Sequence, residues 1–272
     1  FITEFGLILT IVFILLCLFV VLVERKFLAH AQRRFGPSIA GRNGWFQIIL
    51  DLVKLATKET FIIPNNLTYL TPTAIAFFFT VQLLFINNFI FGPSLTFFYN
   101  VDGLIFYHLI LVMLSNITLI VVGFLAQSKY SLIGVFRSIV HVISMDIFVT
   151  LTYIFVILNA NSGQFHDLSL YQYSIPMILL FSPLSFVFLI LMLLESKRAP
   201  FDHVETESEV VSGYATEFSG IYLLTFYLIE YFHLIISANH FSIFFLGGWF
   251  YFNIFSGIFI FVNPYLTSIC LI

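Results

Sequence analysis

The sequence predicts an all-α polytopic membrane protein, with about seven transmembrane helices and one amphipathic helix at the membrane surface. Hydrophobic residues make up 60% of the chain and charged residues only 9%, and the mean hydropathy is +1.05, well outside the range of soluble domains. Apolar runs of the roughly 20 residues needed to cross a bilayer recur along the whole length. All eleven Lys and Arg residues fall on one side of the layout that these runs impose.

The runs lie near 5–24, 70–92, 104–126, 132–158, 176–195, 214–238 and 243–263, and together form a single membrane domain over 1–272. The last is interrupted by Gly247-Gly248, which leaves open a later start. The first run is too long for a cleavable leader and basic residues follow it, so it is expected to be a permanent span. Phe1 in first position leaves open a start further upstream. The inner-face loop over 25–69 holds Arg25, Lys26, Arg33, Arg34, Arg42, Lys54 and Lys58. Lys129 and Arg137 lie at or near the third-to-fourth connection, Lys197 and Arg198 in the loop over 196–213. The opposite connections, near 93–103, 159–175 and 239–242, hold no Lys or Arg. The positive-inside rule then places the basic loops on the inner face, cytoplasm or organelle matrix. The 37 Phe residues point to an AT-rich genome such as an organellar one.

Within the first inner loop, "FGPSIAGRNG" (35–44) is turn material. In "WFQIILDLVKLATKE" (45–59), Gln47, Asp51, Lys54 and Lys58 form one polar helical stripe and apolar residues fill the other faces. This segment reads as an amphipathic helix in the interface plane, serving as a surface anchor or as a wall for something entering from the lipid.

Several classes are excluded or disfavoured. A net charge of −3 argues against a nucleic-acid partner. Cys17 and Cys270 cannot hold an iron–sulfur cluster, which usually takes four thiolates. They are expected to be small buried hydrophobes. His108, His141 and His233 fall one to a span without the paired spacing of haem ligands and are expected to be packed or hydrogen-bonding residues. There is no Gly-rich nucleotide loop, metal-ligand cluster or nucleophile–base motif.

The acids are the informative residues. Asp146 and Glu230 lie well inside spans, Glu217 nearer the beginning of one, and Glu195 ends another. A charge at a helix centre costs roughly 2.5–3.5 kcal/mol on the gentler insertion scales, so these acids need partners, water or protonation. Arg137 is the only base far into a span. It precedes Asp146 by nine residues, about 13 Å along a helix, too far for a direct pair. Carboxylates that spend part of their time protonated, spread over three helices, can pass protons along; they can also serve as polar glue between helices. A second group follows in "ESKRAPFDHVETESEVVSGYATE" (195–217), where Glu205, Glu207 and Glu209 alternate and would share one face of an extended strand. They form either a solvated acidic loop or a cluster poised for proton uptake.

Three stretches, "ERKFLAHAQRRFGPSIAGRNGWFQIILDLVKLATKE" (24–59), "SKYSLIGVFRSIVHVIS" (128–144) and "ESKRAPFDHVETESEVVSGYATEFSG" (195–220), closely resemble the marked segments of the subunit 1 family of NADH:ubiquinone oxidoreductase. That family includes the matching subunit of membrane-bound hydrogenases. The resemblance covers essentially the whole chain and implies a membrane subunit of respiratory complex I. It implies that Glu24, Arg25, Arg34 and Asp51 serve the quinone entrance and chamber. Asp202, Glu205, Glu207 and Glu209 would form the acidic loop beneath the quinone cavity. Asp146, Glu195, Glu217 and Glu230 would begin the intramembrane proton path, and Lys197 and Arg198 would hold the loop against peripheral subunits. It also implies ubiquinone as substrate, with NADH, flavin and iron–sulfur clusters confined to partner subunits. Those partners would be peripheral iron–sulfur and quinone-reducing subunits, small membrane subunits and antiporter-like subunits. The expected location is the mitochondrial inner membrane, with the basic loops facing the matrix and lipid around the spans.

The chain departs from the family pattern in three places. His141 and Met145-Asp146 stand where the family has Gln and Tyr-Glu, and His203 follows the Pro-Phe-Asp element in place of Leu. The family's basic C-terminal inner loop and eighth helix have no counterpart before Ile272; either a separate chain supplies them, the preferred expectation, or the protein continues beyond Ile272. The alternative function is a proton-coupled secondary transporter that uses the intramembrane acids. Against it, the sequence shows no internal repeat, and its acid cluster lies at the inner face. A non-catalytic scaffold subunit leaves the intramembrane acids unexplained.

Overall fold

The computed structural model describes residues 2–41, 44–60, 69–86, 103–197, 201 and 213–248. These are all-helical, with no strand among them. Helix α1 runs over Ile2–Ala31, α2 over Gln47–Thr57, α3 over Leu70–Ile86, α4 over Leu104–Leu125 and α5 over Lys129–Ala160. They are followed by α6 (Phe165–Tyr171), α7 (Met177–Leu180), α8 (Ser182–Glu195), a 3₁₀ turn (Gly213–Ala215) and α9 (Ile221–Phe245). Helices α4, α5 and α9 are long and apolar enough to cross a membrane, and α3 and α8 are shorter apolar helices.

The bundle has a basic end, where α1, α4 and α8 finish and α3, α5 and α9 begin, and a far end. Three apolar clusters fill it. At the basic end, Ile75, Phe78, Leu119, Val122, Val135, Tyr214, Phe226 and Ile229 pack together. Phe13, Cys17, Val81, Phe85, Val112 and Phe232 occupy the middle. Ile105, Tyr153, Phe165, Leu168, Phe188 and Phe244 close the far end. Cys17 is fully buried, as expected of a small hydrophobe. The outward face of α5 exposes Ile143, Ile147, Phe148, Leu151 and Leu158, the surface a helix shows to hydrocarbon.

Local chemistry sets the element ends. Ser128 caps α5 by accepting from the Ser131 amide, satisfying a donor that the helix cannot. The apolar run over 176–195 divides into α7 and α8, because Phe181 leaves the helical region (φ −126, ψ 54) ahead of Pro183 at the start of α8, where a missing amide costs nothing. The run placed at 214–238 from sequence appears as α9 over Ile221–Phe245. Gly220, with φ +61 and room for no Cβ beside the Lys58 carbonyl, breaks the chain before it. At the far end, Gln172 locks the α6–α7 connection, donating to the carbonyls of Ile243 (2.8 Å) and Leu168 (3.3 Å) and accepting from the Met177 amide.

The close approach that shapes the basic end is between α5 and the 3₁₀ turn. A Cβ on Gly134 would meet the Gly213 Cα at 2.9 Å and the Tyr214 amide nitrogen at 3.0 Å, so only glycine lets the two backbones touch. Beside it, Ser131 Oγ donates to the Gly123 carbonyl at 2.6 Å, drawing α4 onto α5. Overpacking such a contact costs about 1–3 kcal/mol. Gly134→Val should therefore lower the midpoint of heat-induced unfolding in native membranes, while Ile133→Ala, on the exposed side of the same helix, leaves it in place.

Candidate functional site: a polar cavity and a basic groove

A narrow cavity of about 30 Å³ opens inside the basic end, lined by Ser115, Asn116, Glu195, Ser196, Lys197, Tyr214, Glu230 and His233 among apolar neighbours. Its polar groups come from four places: Asn116 from α4, Glu195 from the last residue of α8, Tyr214 from the 3₁₀ turn, and Glu230 and His233 from adjacent turns of α9. The three-residue spacing of Glu230 and His233 puts both on one face of α9. Gln82 of α3 lies 3.0 Å from His233 Nε2, so a fifth element braces the site.

Lys197 supplies the cation. Residues 196–197 turn off the end of α8, and Lys197 takes a left-handed conformation (φ 50) that non-glycine residues adopt at a cost of order 1–3 kcal/mol. The reversal brings its side chain back towards the cavity, with the ammonium 5.2 Å from the Tyr214 ring centre. The sequence alone assigns Lys197 to a loop and shows too few cations near the acids. A residue two places past the end of a helix reads as loop in one dimension, whereas the left-handed turn folds it back. The positive φ leaves no sequence signal, since glycine is absent there.

The expected proton-path acids divide. Glu195 and Glu230 share the cavity. Asp146 does not line it, but accepts from Asn116 Nδ2 at 3.2 Å, and Asn116 does; Asp146 and Glu195 also interact electrostatically. Glu217 lies in the turn before α9 rather than within a membrane helix, and is not among the lining residues. Asp202, Glu205, Glu207, Glu209, His203 and Arg198 lie outside the described residues.

The expected quinone residues divide as well. Arg25 and Asp51 form an ion pair between α1 and α2, and Gln47 supports Asp51 from one turn away at 3.3 Å. Arg25, Arg34 and Gln47 line a groove of about 520 Å³ with Leu28, Phe35 and Ile39. Phe35 and Ile39 are 98% and 96% exposed, so apolar side chains stand open beside the cations. Helix α2 turns Asp51 inward while leaving Ile49, Leu50 and Val53 exposed, the disposition of a helix lying on an apolar phase. Glu24 faces the other way, accepting a 2.7 Å hydrogen bond from Tyr231 on α9.

Tyr231 does not stand out in the sequence, because an isolated Tyr in an aromatic-rich helix carries no signal. It follows Glu230 directly, so α9 touches the cavity through one residue and Glu24 through the next.

Residues 5–272 match the family model described as NADH dehydrogenase. The chain belongs to the NADH dehydrogenase family. The NADH-ubiquinone oxidoreductase chain 1 of Paramecium tetraurelia is 34% identical over 253 residues, covering 90% of this chain and 94% of that one. An NADH-quinone oxidoreductase subunit of Carboxydothermus hydrogenoformans is 36% identical over 236 residues, 85% of this chain and 66% of that protein. Its counterpart in Syntrophotalea carbinolica is 33% identical over 263 residues, 94% and 76% of the two chains. With its membrane-length helices, the chain is an integral membrane member of this family.

A hydrogen bond to a charged group contributes about 1.5–3 kcal/mol, against about 0.2–1 kcal/mol for an exposed ion pair. Tyr231→Phe should therefore destabilise the α1–α9 contact more than Asp51→Asn destabilises α1–α2. Heat-induced unfolding of the two variants in membranes checks the order.

Proposed function

We propose that this chain is the membrane subunit of an NADH:quinone oxidoreductase that receives the quinone headgroup and begins the path of proton translocation. The observation that carries the reading is the gathering of Glu195, Glu230, Lys197 and His233 around one cavity, tied through α9 and the Tyr231–Glu24 bond to the groove edged by Arg25 and Arg34. Exposed Phe35 and Ile39 suit an isoprenoid tail, and Arg25, Arg34 and Gln47 suit a polar headgroup. Asp202, Glu205, Glu207 and Glu209, in the connection between α8 and the 3₁₀ turn, would supply the acidic loop beneath the quinone.

The mechanism follows from charge. Quinone reduction consumes two electrons and two protons, and the two cysteines of this chain are too few to hold an iron–sulfur cluster. Electrons are supplied by iron–sulfur and flavin groups of partner subunits, which oxidise NADH. A negative intermediate near the groove raises the proton affinity of nearby carboxylates. Lys197 offsets one negative charge in the cavity, which leaves Glu195 and Glu230 to share what remains of its electrostatic cost. A change of charge at the quinone then shifts protons among these acids, and Asp146 responds through its electrostatic coupling to Glu195. Glu217, outside the cavity, would take up protons from the basic end.

The wider assignment completes the proposal: seven spans in one membrane domain, basic loops facing the matrix of a mitochondrial inner membrane, and small membrane and antiporter-like subunits as neighbours.

Purification in mild detergent with an NADH:quinone assay tests the reading. A large assembly containing flavin and iron–sulfur proteins, with inhibitor-sensitive quinone reduction, is the expected result. A free monomer or small homo-oligomer would sink it. Within that assembly, Glu195→Gln should preserve assembly and impair quinone reduction coupled to pumping; if both survive intact, Glu195 has only a structural part.

A further inference from the structure

Beyond the cavity, towards the far end of the bundle, a second group of titratable side chains is packed among aromatic rings. His108 of α4 is 2% exposed and His240 of α9 is 0% exposed. Their rings stack with centroids 3.8 Å apart and planes 27° from parallel. Tyr153 of α5 continues the stack, 5.8 Å from His108 and within 10° of parallel. Phe165 of α6 and Phe244 meet His240 edge-on, so the pair is walled in by rings from several helices.

Each imidazole keeps one buried nitrogen without a hydrogen-bond partner among the described residues: Nδ1 of His108 and Nε2 of His240. The His240 tautomer follows from its other side. Nδ1 lies 2.7 Å from the Ile236 carbonyl oxygen, which can only accept, so Nδ1 carries the hydrogen and Nε2 of the neutral ring is a lone pair. Native interiors leave few polar atoms unpaired, and the lone pair on His240 beside the unpartnered His108 nitrogen gives the stack a place to hold a proton, at the desolvation cost that any buried charge carries. Two imidazolium charges so close in an apolar setting would repel, so the pair takes up one excess proton at most.

The connection to the cavity runs through a phenyl ring. Phe85 of α3 is fully buried and meets His108 at 5.3 Å and His233 at 5.6 Å, edge-on to both. His233 lines the cavity and touches Gln82, whose Oε1 is also buried and unpaired among the described residues. The titratable groups facing the pair are therefore His233 across Phe85 and Tyr153 on the stack, with Glu195 in electrostatic reach of Tyr153. His108 is 17 residues from the basic end of α4 and His240 is 19 from the start of α9, about 26 and 29 Å along the axes. Glu230, nine residues into α9, is about 14 Å along.

We propose that His108 and His240 form a proton-accepting pair that extends the cavity's polar chain towards the far end of the bundle, with Phe85 as the apolar plug between them. The proposal rests on reading the cavity as part of a proton path. In the transfer, a carboxylic acid of the cavity first gives its proton to His233. One N–H bond of that imidazolium then breaks and an N–H bond on an unpartnered nitrogen of the His108–His240 pair forms, by way of water admitted as Phe85 turns aside. His233 thereby returns to the neutral ring, and no electron or oxidant is required.

The test uses the whole enzyme complex in sealed proteoliposomes and compares wild type with Phe85→Ala and with His108→Phe combined with His240→Phe, which keeps ring volume. Protons moved per NADH oxidised and the passive proton leak are measured separately. A lower ratio in the double variant and a larger leak in Phe85→Ala are expected. With ¹⁵N-labelled histidine, an infrared difference band on quinone reduction should disappear in the double variant, a change that loss of packing alone would not produce in a complex that still turns over. An unchanged ratio and unchanged infrared bands overturn the proposal. Should the double variant fail to assemble, Phe85→Ala decides alone, and an unchanged leak overturns it. A wild-type complex that reduces quinone without moving protons would instead overturn the reading of the cavity.

Discussion

The cavity depends on one half-buried cation. Two carboxylates inside an apolar bundle are costly to charge, and that cost falls most when a cation shares their space and a polarisable ring holds it there. Lys197 above Tyr214 meets both conditions. Its position needs the left-handed turn at the end of α8, and Tyr214 needs the backbone contact at Gly134. The glycine that lets α5 approach the 3₁₀ turn, the strained lysine and the acids of α8 and α9 are thus one construction. Moving any one of them changes the electrostatic setting of the rest.

The same economy explains why polar groups appear on α9 at short intervals. Tyr231 reaches α1, Glu230 the cavity, His233 the boundary with Phe85, and His240 the far end. One helix therefore carries contacts along about 15 Å between Glu230 and His240. A small displacement of α9 would be felt at the Glu24 bond, at the cavity and at the histidine stack together, because it packs against α1, α2, α3, α6, α7 and α8.

Much of this is legible in one dimension. Hydropathy marks α4, α5 and α9, the 4-3-4 spacing of Gln47, Asp51, Lys54 and Lys58 marks α2, and Asp146, Glu195 and Glu230 stand out because charge is rare in such helices. The relations among them are not legible. Nothing in the spacing says that Asp51 finds Arg25, that Glu24 turns from the groove to Tyr231, or that Glu195 and Glu230 meet while Glu217 stays in a turn. His240 falls in a connection between predicted spans because "SANH" is polar enough to end a hydropathy window. In three dimensions those residues continue α9, their backbone groups are satisfied within the helix, and His108 and Phe165 cover the imidazole. Ring stacking across helices has no sequence period, so only the fold could reveal it.

Asp146 occupies the boundary between this polar interior and the lipid-like face of α5. Its neighbours Ile143, Ile147 and Phe148 are exposed while Val149 is buried, so the carboxyl sits at the edge of the helix's packed side. A carboxylate facing hydrocarbon would be expelled or neutralised. The Asn116 amide holds Asp146 towards α4 by a hydrogen bond to its carboxyl. An Asp has a shorter reach than a Glu, and here that limits the group to Asn116 and keeps it out of the cavity. Its coupling to Glu195 is therefore electrostatic, so a proton on Glu195 alters the field at Asp146 without the two acids having to touch.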